Sequence, residues 1–124
     1  MSDCGVCIGG GDYDGSYEFY EQEIRTARKT HRCIECRREI PVGEKYERVA
    51  GKFDGDFFSD CTCMPCAEIA EAFYCDGPRI AHCLWDDMDA VMGDLTTSCF
   101  DKLKTPEAKA FLRWRWMKWK GLVA

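Results

Sequence analysis

The sequence predicts an α+β fold in which a small β-hairpin is followed by helices. Residues 44–50 carry Tyr46 and Val49 among polar side chains, which predicts a strand, and Asp54-Gly55 is a strong two-residue hairpin signal. Residues 79–95 carry apolar side chains at helical spacing. Thr105 followed by Pro106 combines a capping residue with proline at the first helical position, which predicts a last helix over about 106–120.

The hairpin signal also fixes a register. Pairing about the turn sets Phe53 opposite Asp56 and Lys52 opposite Phe57, and the returning strand runs over about 56–62.

The remaining elements follow from local composition. Pro65 suits the first turn of a helix that begins at the end of the returning strand. Residues 1–17 are glycine-rich and acidic, which predicts irregular chain, and residues 18–32 fit either a short helix or an extended segment. Residues 96–98, Thr-Thr-Ser, predict a break before the last helix.

Length and cysteine content indicate how such a chain is stabilised. The 124 residues suit one domain, whose modest core commonly needs a metal or a disulfide, and ten cysteines supply the candidates. We predict a single zinc-binding domain over 1–124, with 1–17 joined to it through a second metal site and 102–124 forming a basic aromatic helix.

The N-terminus has neither the basic nor the apolar region of a secretory signal, and no apolar run approaches the roughly 20 residues that span a bilayer. We therefore expect a cytoplasmic protein with no membrane association. Thiols stay reduced there, so close cysteine pairs are expected to be metal ligands rather than disulfides.

Two Cys-x-x-Cys pairs, Cys33 with Cys36 and Cys63 with Cys66, predict one zinc site. Tetrahedral zinc takes four soft ligands from two short loops, and the hairpin brings the pairs together. The second pair opens a helix whose N–H groups stabilise thiolate charge. Knuckle, hairpin and helix in this order predict a treble-clef-like core, followed by two C-terminal helices. A zinc site that used Cys61 and Cys63, in place of Cys63 and Cys66, would have poorer knuckle geometry.

Cys4 and Cys7 repeat the spacing and predict part of a second zinc site. The residues that would complete it are Cys75 and Cys83, with His31 and His82 as substitutes. Alternatively, Cys75, Cys83 and Cys99 act as small buried apolar side chains, as free cysteines often do.

Residues 27–69, ARKTHRCIECRREIPVGEKYERVAGKFDGDFFSDCTCMPCAEI, resemble a group of small cysteine-rich phage and prophage proteins with no assigned activity. The shared pattern is a basic lead-in, Cys-x-x-Cys, a Gly-Glu-x-Tyr strand, a Gly-x-aromatic-Asp-Gly turn and a second Cys-x-x-Cys. The resemblance covers about residues 24–95 and implies a phage-type accessory protein in the host cytoplasm. Cys61 departs from the pattern, and the segment RWRWMKWK, residues 113–120, lies outside it.

The residues do not favour an enzyme. A nuclease of the HNH type built on this core needs a histidine base on the hairpin and a further histidine or asparagine for its cation. Residues 44–62 contain no histidine, and the chain contains no asparagine. Because four-cysteine zinc sites are closed and structural, we predict a non-enzymatic protein.

Charge is divided into four blocks. In chain order, the net charge is −6 over residues 1–24, +5 over 25–52, −10 over 53–101 and +6 over 102–124. The simplest explanation is that opposite blocks face each other or water. The acidic block, with Asp86 and Asp87, would also suit a basic host protein. We therefore predict protein–protein interaction, as inhibition of a host nucleic-acid-binding or defence system.

The alternative function is nucleic-acid binding through the basic segments 25–38 and 113–120. The predicted contact residues of the second segment are Arg113, Trp114, Arg115 and Lys118. Cations would meet phosphates, and tryptophan would stack on bases. Exposure of this face separates the two functions, because buried tryptophans and paired arginines would weaken the nucleic-acid hypothesis.

Overall fold

The computed structural model describes residues 4–8, 17–53, 55–74 and 84–122, and its mixture of strands and helices confirms the α+β class. The strands are β1 (Tyr17–Thr26), β2 (His31–Arg32), β3 (Glu39–Ile40), β4 (Lys45–Phe53) and β5 (Asp56–Cys63). The helices are α1 (Met64–Phe73), α2 (Leu84–Val91), α3 (Thr97–Phe100) and α4 (Pro106–Trp119), with a 3₁₀ turn at Met92–Asp94. Within the described residues, no helix has the length and apolar character needed to cross a membrane.

Three antiparallel strands form the main sheet in the order β1-β4-β5, and β2 pairs with β3 in a second, two-stranded sheet. The predicted hairpin register is confirmed, since Phe53 faces Asp56 and Lys52 faces Phe57. Gly55 has φ of +84°, a backbone conformation that favours glycine. Asp54 lies outside the described residues.

Strand β1 settles the two alternatives for residues 18–32. Tyr17–Thr26 is extended and pairs with β4 along its length, with Gln22 opposite Val49. The short helix is therefore wrong. Local spacing left the choice open, and pairing with the free edge of β4 decides it, since aromatic and β-branched residues suit a strand.

The helices match the capping signals. Thr105 caps α4 by accepting a hydrogen bond from the Ala108 N–H at 3.3 Å. On α2, Met88 is fully buried and Asp86 is exposed, as the predicted stripe requires, although residues 79–83 of that pattern lie outside the described part. The predicted break at 96–98 is wrong in extent: Thr96 is extended, but the short helix α3 begins directly after it.

The core gathers around α1, where Ile69 and Phe73 are fully buried. Helix α4 docks against α1 partly through the Glu68 carboxylate. This carboxylate accepts hydrogen bonds from the Lys104 and Thr105 backbone N–H groups and from the Thr105 hydroxyl. The same core cluster includes Cys33, Cys63 and Cys66, so the cysteines adjoin the core.

Candidate metal centre

The structure brings Cys33, Cys36, Cys63 and Cys66 together. Their four sulfur atoms lie within 4.8 Å of one another, an arrangement that could hold a metal ion. Cys33, Cys63 and Cys66 are fully buried and Cys36 is half-buried. Residues from two chain segments thus converge on one small volume that is largely closed to solvent.

The first pair lies in a tight turn after β2. The Cys33 N–H donates to the Arg38 carbonyl at 2.8 Å, and the Arg37 N–H donates to the Cys33 carbonyl at 2.9 Å. Arg37 has φ of +68°, a left-handed conformation that is uncommon for a residue with a side chain. The Ile34 N–H donates to the Cys61 carbonyl at 2.8 Å, so the turn is fixed to β5.

The second pair lies where β5 becomes α1. Cys63 is the last residue of the strand and precedes the helix, and Cys66 is in the first helical turn, just after Pro65. Backbone N–H groups at a helix N-terminus have no partner within the helix and favour negative charge nearby. Both sulfurs therefore lie where thiolate charge is stabilised.

Within the described part of the chain, three N–H groups donate to sulfurs of the cluster. The backbone N–H groups of Cys36 and Cys63 point at Cys33 Sγ, with N···S distances of 3.5 Å and 3.3 Å. The Trp85 indole N–H donates to Cys66 Sγ at 3.4 Å. Such bonds lower the cost of keeping a buried thiolate, and they orient ligands as outer partners do in metal sites.

Because the four sulfurs lie close together, the pKa values of their thiols differ from one another. Hydrogen bonds from the other three thiols lower the pKa of Cys33. The pKa of Cys66 is raised, chiefly because its thiol donates a hydrogen bond to Cys33 and also because it is buried. For Cys36, contact with Cys33 raises the pKa, but hydrogen bonds from Cys63 and Cys66 outweigh this and lower it to about 7. Thiolates packed together repel one another, and a cation among them would displace the remaining protons.

Cys61 lies outside this cluster. Its sulfur is 3.5 Å from His31 Nδ1, and its side chain is half-buried. Burial, together with the nearby Asp60 charge, raises the pKa of the Cys61 thiol. The geometry therefore agrees with the set built on Cys63 and Cys66, and the set that uses Cys61 with Cys63 is not formed.

The N-terminal pair requires a correction. Cys4 forms a disulfide with Cys99, and Cys7 is disulfide-bonded as well. Thiolates are the metal ligands, and a disulfide sulfur has no thiolate charge, so Cys4 and Cys7 do not form the predicted second zinc site. Cys99 is buried as expected, but it is oxidised rather than a free thiol. The other predicted members, Cys75, Cys83 and His82, lie outside the described residues.

Three of the four predicted contact residues of α4 are exposed. Arg113 and Lys118 are exposed, and Trp114 is 44% exposed, with Lys118 Nζ 5.0 Å from its ring centroid. Arg115 is half-buried and lies over the Trp85 ring at 4.3 Å. Within the described part of the chain, none of the salt bridges involves an α4 cation.

The acidic residues are less available. Asp86 is exposed, but Asp87 is half-buried and accepts a hydrogen bond from the Tyr74 hydroxyl at 2.8 Å. Sequence spacing missed Trp85, which contacts both Cys66 and Arg115 and so joins the cysteine cluster to α4. Trp85 lies 19 positions from Cys66, and no local motif signals such a contact.

Fold and site together define a small α+β protein with a buried four-cysteine cluster that could bind a metal ion. Comparison of the chain with protein-family models, curated proteins and solved structures finds no match.

Proposed function

We propose that this chain is a non-enzymatic, zinc-stabilised protein that binds nucleic acid. Zinc is the ion because all four ligands are cysteines, which favour zinc over harder cations, and because four protein ligands close the site. A turn, a hairpin and a helix supply these ligands in the order of a treble clef. Closed four-cysteine sites stabilise folds rather than react, which supports a binding role.

The exposed basic and aromatic surface of α4 carries the proposal. Lys118 over Trp114 and Lys120 over Trp116 hold cations against ring faces, with distances of 5.0 Å and 4.8 Å to the centroids. Trp119 adds a ring that is 48% exposed. Cations with exposed aromatic rings are the combination that binds phosphates and stacks bases.

The acidic block supports the protein-interaction hypothesis less well. Glu68 and Asp87 already accept hydrogen bonds within the fold, at the start of α4 and from Tyr74. Fewer of its carboxylates are then free to meet a basic host protein. Inhibition of a host system through this block ranks second, and it predicts a protein partner that survives nuclease treatment.

Fluorescence anisotropy with labelled oligonucleotides tests the proposal. We expect the wild type to bind with an affinity that falls as salt rises. The variant Arg113→Ala with Lys118→Ala should reduce the slope of log affinity against log salt by about 1.4 for a single strand, since each lost phosphate contact contributes about 0.7. Trp114→Ala should weaken binding about 5- to 150-fold through lost stacking.

A matched charge control is Asp86→Asn with Asp89→Asn, which changes two exposed residues of α2. This variant should bind at least as tightly as the wild type. Absence of oligonucleotide binding by the wild type at low salt would overturn the nucleic-acid function. Affinity capture from host lysate with and without nuclease would then identify a protein partner.

A further inference from the structure

A second basic surface lies on the main sheet, on the far side of β4 from α1. Successive side chains of a strand point to opposite faces, so Tyr46, Arg48, Ala50 and Lys52 share one face of β4. The register between β4 and β5 sets Phe57 opposite Lys52, so Phe57 lies on the same face of the sheet. Helix α1 contacts β4 and β5, and it lines a cleft with Glu47, a residue of the other face.

One end of this face is a cleft of about 810 Å³ beside the cysteine turn. Its lining includes Arg25, Arg28, Lys29 and His31, with Tyr46 as its buried floor. Arg25 is paired with Glu23 at 3.0 Å, whereas Arg28 and Lys29 are both exposed. A concave site with excess positive charge suits a phosphate group.

The other end presents an aromatic ring. Phe57 is 73% exposed, and Lys52 Nζ lies 5.2 Å from its ring centroid. A second cleft of about 390 Å³ is lined by Arg48, Glu21 and Phe57 among others, so it reaches the Phe57 end of the face. Among the described side chains that line this face, five cations, Arg25, Arg28, Lys29, Arg48 and Lys52, stand against two carboxylates, Glu21 and Glu23.

We infer that a single nucleic-acid strand lies along this sheet face, with a phosphate in the Arg28–Lys29 cleft and a base stacked on Phe57. This inference rests on the proposed nucleic-acid function and adds both the surface and the class of ligand. Tyr46 and Lys52 are six residues apart on β4, so the track is about 20 Å long. A single strand fits better than a duplex because only an unpaired base exposes its face to a ring.

Anisotropy titrations with oligo(dT), oligo(rU) and a duplex of the same length test this placement and separate DNA from RNA as the source of the strand. We expect Phe57→Ala to weaken single-strand binding about 5- to 150-fold and Phe57→Trp to restore it. Arg28→Ala with Lys29→Ala should lower the salt slope by about 1.4.

The matched controls remove similar groups elsewhere. Val42→Ala truncates a side chain that is 63% exposed on another turn, and Lys104→Ala removes an exposed cation that lines the cleft beside α1. Neither should change affinity by more than about twofold. Equal metal content in every variant establishes that the fold is intact.

The outcomes separate this inference from the proposed function. If the wild type binds no oligonucleotide, both fail. If it binds and only the α4 variants lose affinity, the sheet assignment is overturned while the function stands. Tighter binding of the duplex than of either single strand would also overturn the sheet assignment. So would the finding that poly-glutamate displaces the oligonucleotide equally well from the wild type and from Phe57→Ala.

Discussion

Cys33 and Cys36 have the same spacing as Cys4 and Cys7 but different surroundings. The first pair borders a tight turn that is hydrogen-bonded to β5, and its sulfurs meet a second pair across the hairpin. Cys4 and Cys7 lie in irregular chain, and Cys4 bonds to Cys99 on α3, 95 positions away. Spacing is therefore compatible with either outcome, and the sulfurs within reach in the folded chain decide between them.

The two crosslinks also need opposite conditions. A metal centre needs deprotonated thiols and a cation, whereas a disulfide needs an oxidant and persists in oxidising compartments. In the cytoplasm that the sequence predicts, the Cys4–Cys99 disulfide would contribute less to the stability of the fold than the cysteine cluster does. The predictions below test this division, starting with the largest effect.

Loss of a cluster ligand is expected to have the largest effect. Cys66→Ala removes a fully buried sulfur. Binding of a structural zinc contributes about 10–16 kcal/mol, which is comparable to or larger than the roughly 5–15 kcal/mol by which domains are stable. We expect native mass spectrometry to show one zinc on the wild type and none on the variant, and the variant to lose cooperative unfolding in urea. Cys61→Ala is the control, and it should keep both. A Cys66→Ala protein with the wild-type urea midpoint would refute the structural role.

Loss of the disulfide should have a smaller effect. Cys4→Ser with Cys99→Ser is expected to lower the free energy of unfolding by about 2–5 kcal/mol, since the unfolded chain is no longer constrained. Metal content should be unchanged because neither residue belongs to the cluster. Urea denaturation with parallel zinc analysis measures both quantities. Loss of zinc in this variant would show that the two crosslinks depend on each other.

The sequence predicted those parts of the fold whose signals are local. The Asp54-Gly55 dipeptide specified the hairpin register, and Thr105 with Pro106 specified the start of α4. The four clustered cysteines were identifiable because two short-spaced pairs flank that hairpin. In each case neighbouring residues contain the information, so no knowledge of distant contacts was needed.

The parts that local sequence left open or predicted wrongly depend on distant contacts. The choice between helix and extended chain for residues 18–32 stayed open because it depends on pairing with β4, which residues 17–26 make. Spacing alone predicts that Cys4 binds a metal, but the fold places it beside Cys99. Trp85 meets Cys66 through the packing of α2 against the cluster, which periodicity does not reveal.

The Trp85 contact gives a third prediction, about how strongly the surroundings tune the cluster. Trp85→Phe keeps a ring beside Phe111, whose centroid lies 5.3 Å away, but removes the N–H donated to Cys66 Sγ. We expect metal affinity to fall about 10- to 100-fold, the usual cost of losing an outer hydrogen bond. Competition with a chromophoric chelator measures this. Trp114→Phe should leave the affinity unchanged because Trp114 is 44% exposed on the surface of α4. Unchanged affinity in Trp85→Phe would limit Trp85 to packing.

The smallest expected effect concerns α4, whose described residues contain no cysteine and which neither crosslink holds directly. Burial would raise the pKa of Glu68, but hydrogen bonds from the Thr105 hydroxyl and from the Thr105 and Lys104 N–H groups outweigh burial and hold it below the usual 4.5. Because the folded-state pKa is lowered, the carboxylate stabilises the fold above the unfolded-state pKa. This contribution is lost as pH falls through the folded-state value.

Glu68→Gln should therefore reduce the free energy of unfolding by about 1 kcal/mol near neutral pH, the typical net contribution of a hydrogen bond. The difference from wild type should shrink towards zero in acid below the usual carboxyl pKa of 4.5. Paired urea titrations across this pH range measure it, and Glu71→Gln, an exposed change on the same helix, is the control. The difference between the unfolding free energies of wild type and Glu68→Gln is free of acid effects on the cysteine cluster, because both proteins contain that cluster. A difference that stays constant with pH would mean that Glu68 holds α4 as a hydrogen-bond acceptor and not through its charge.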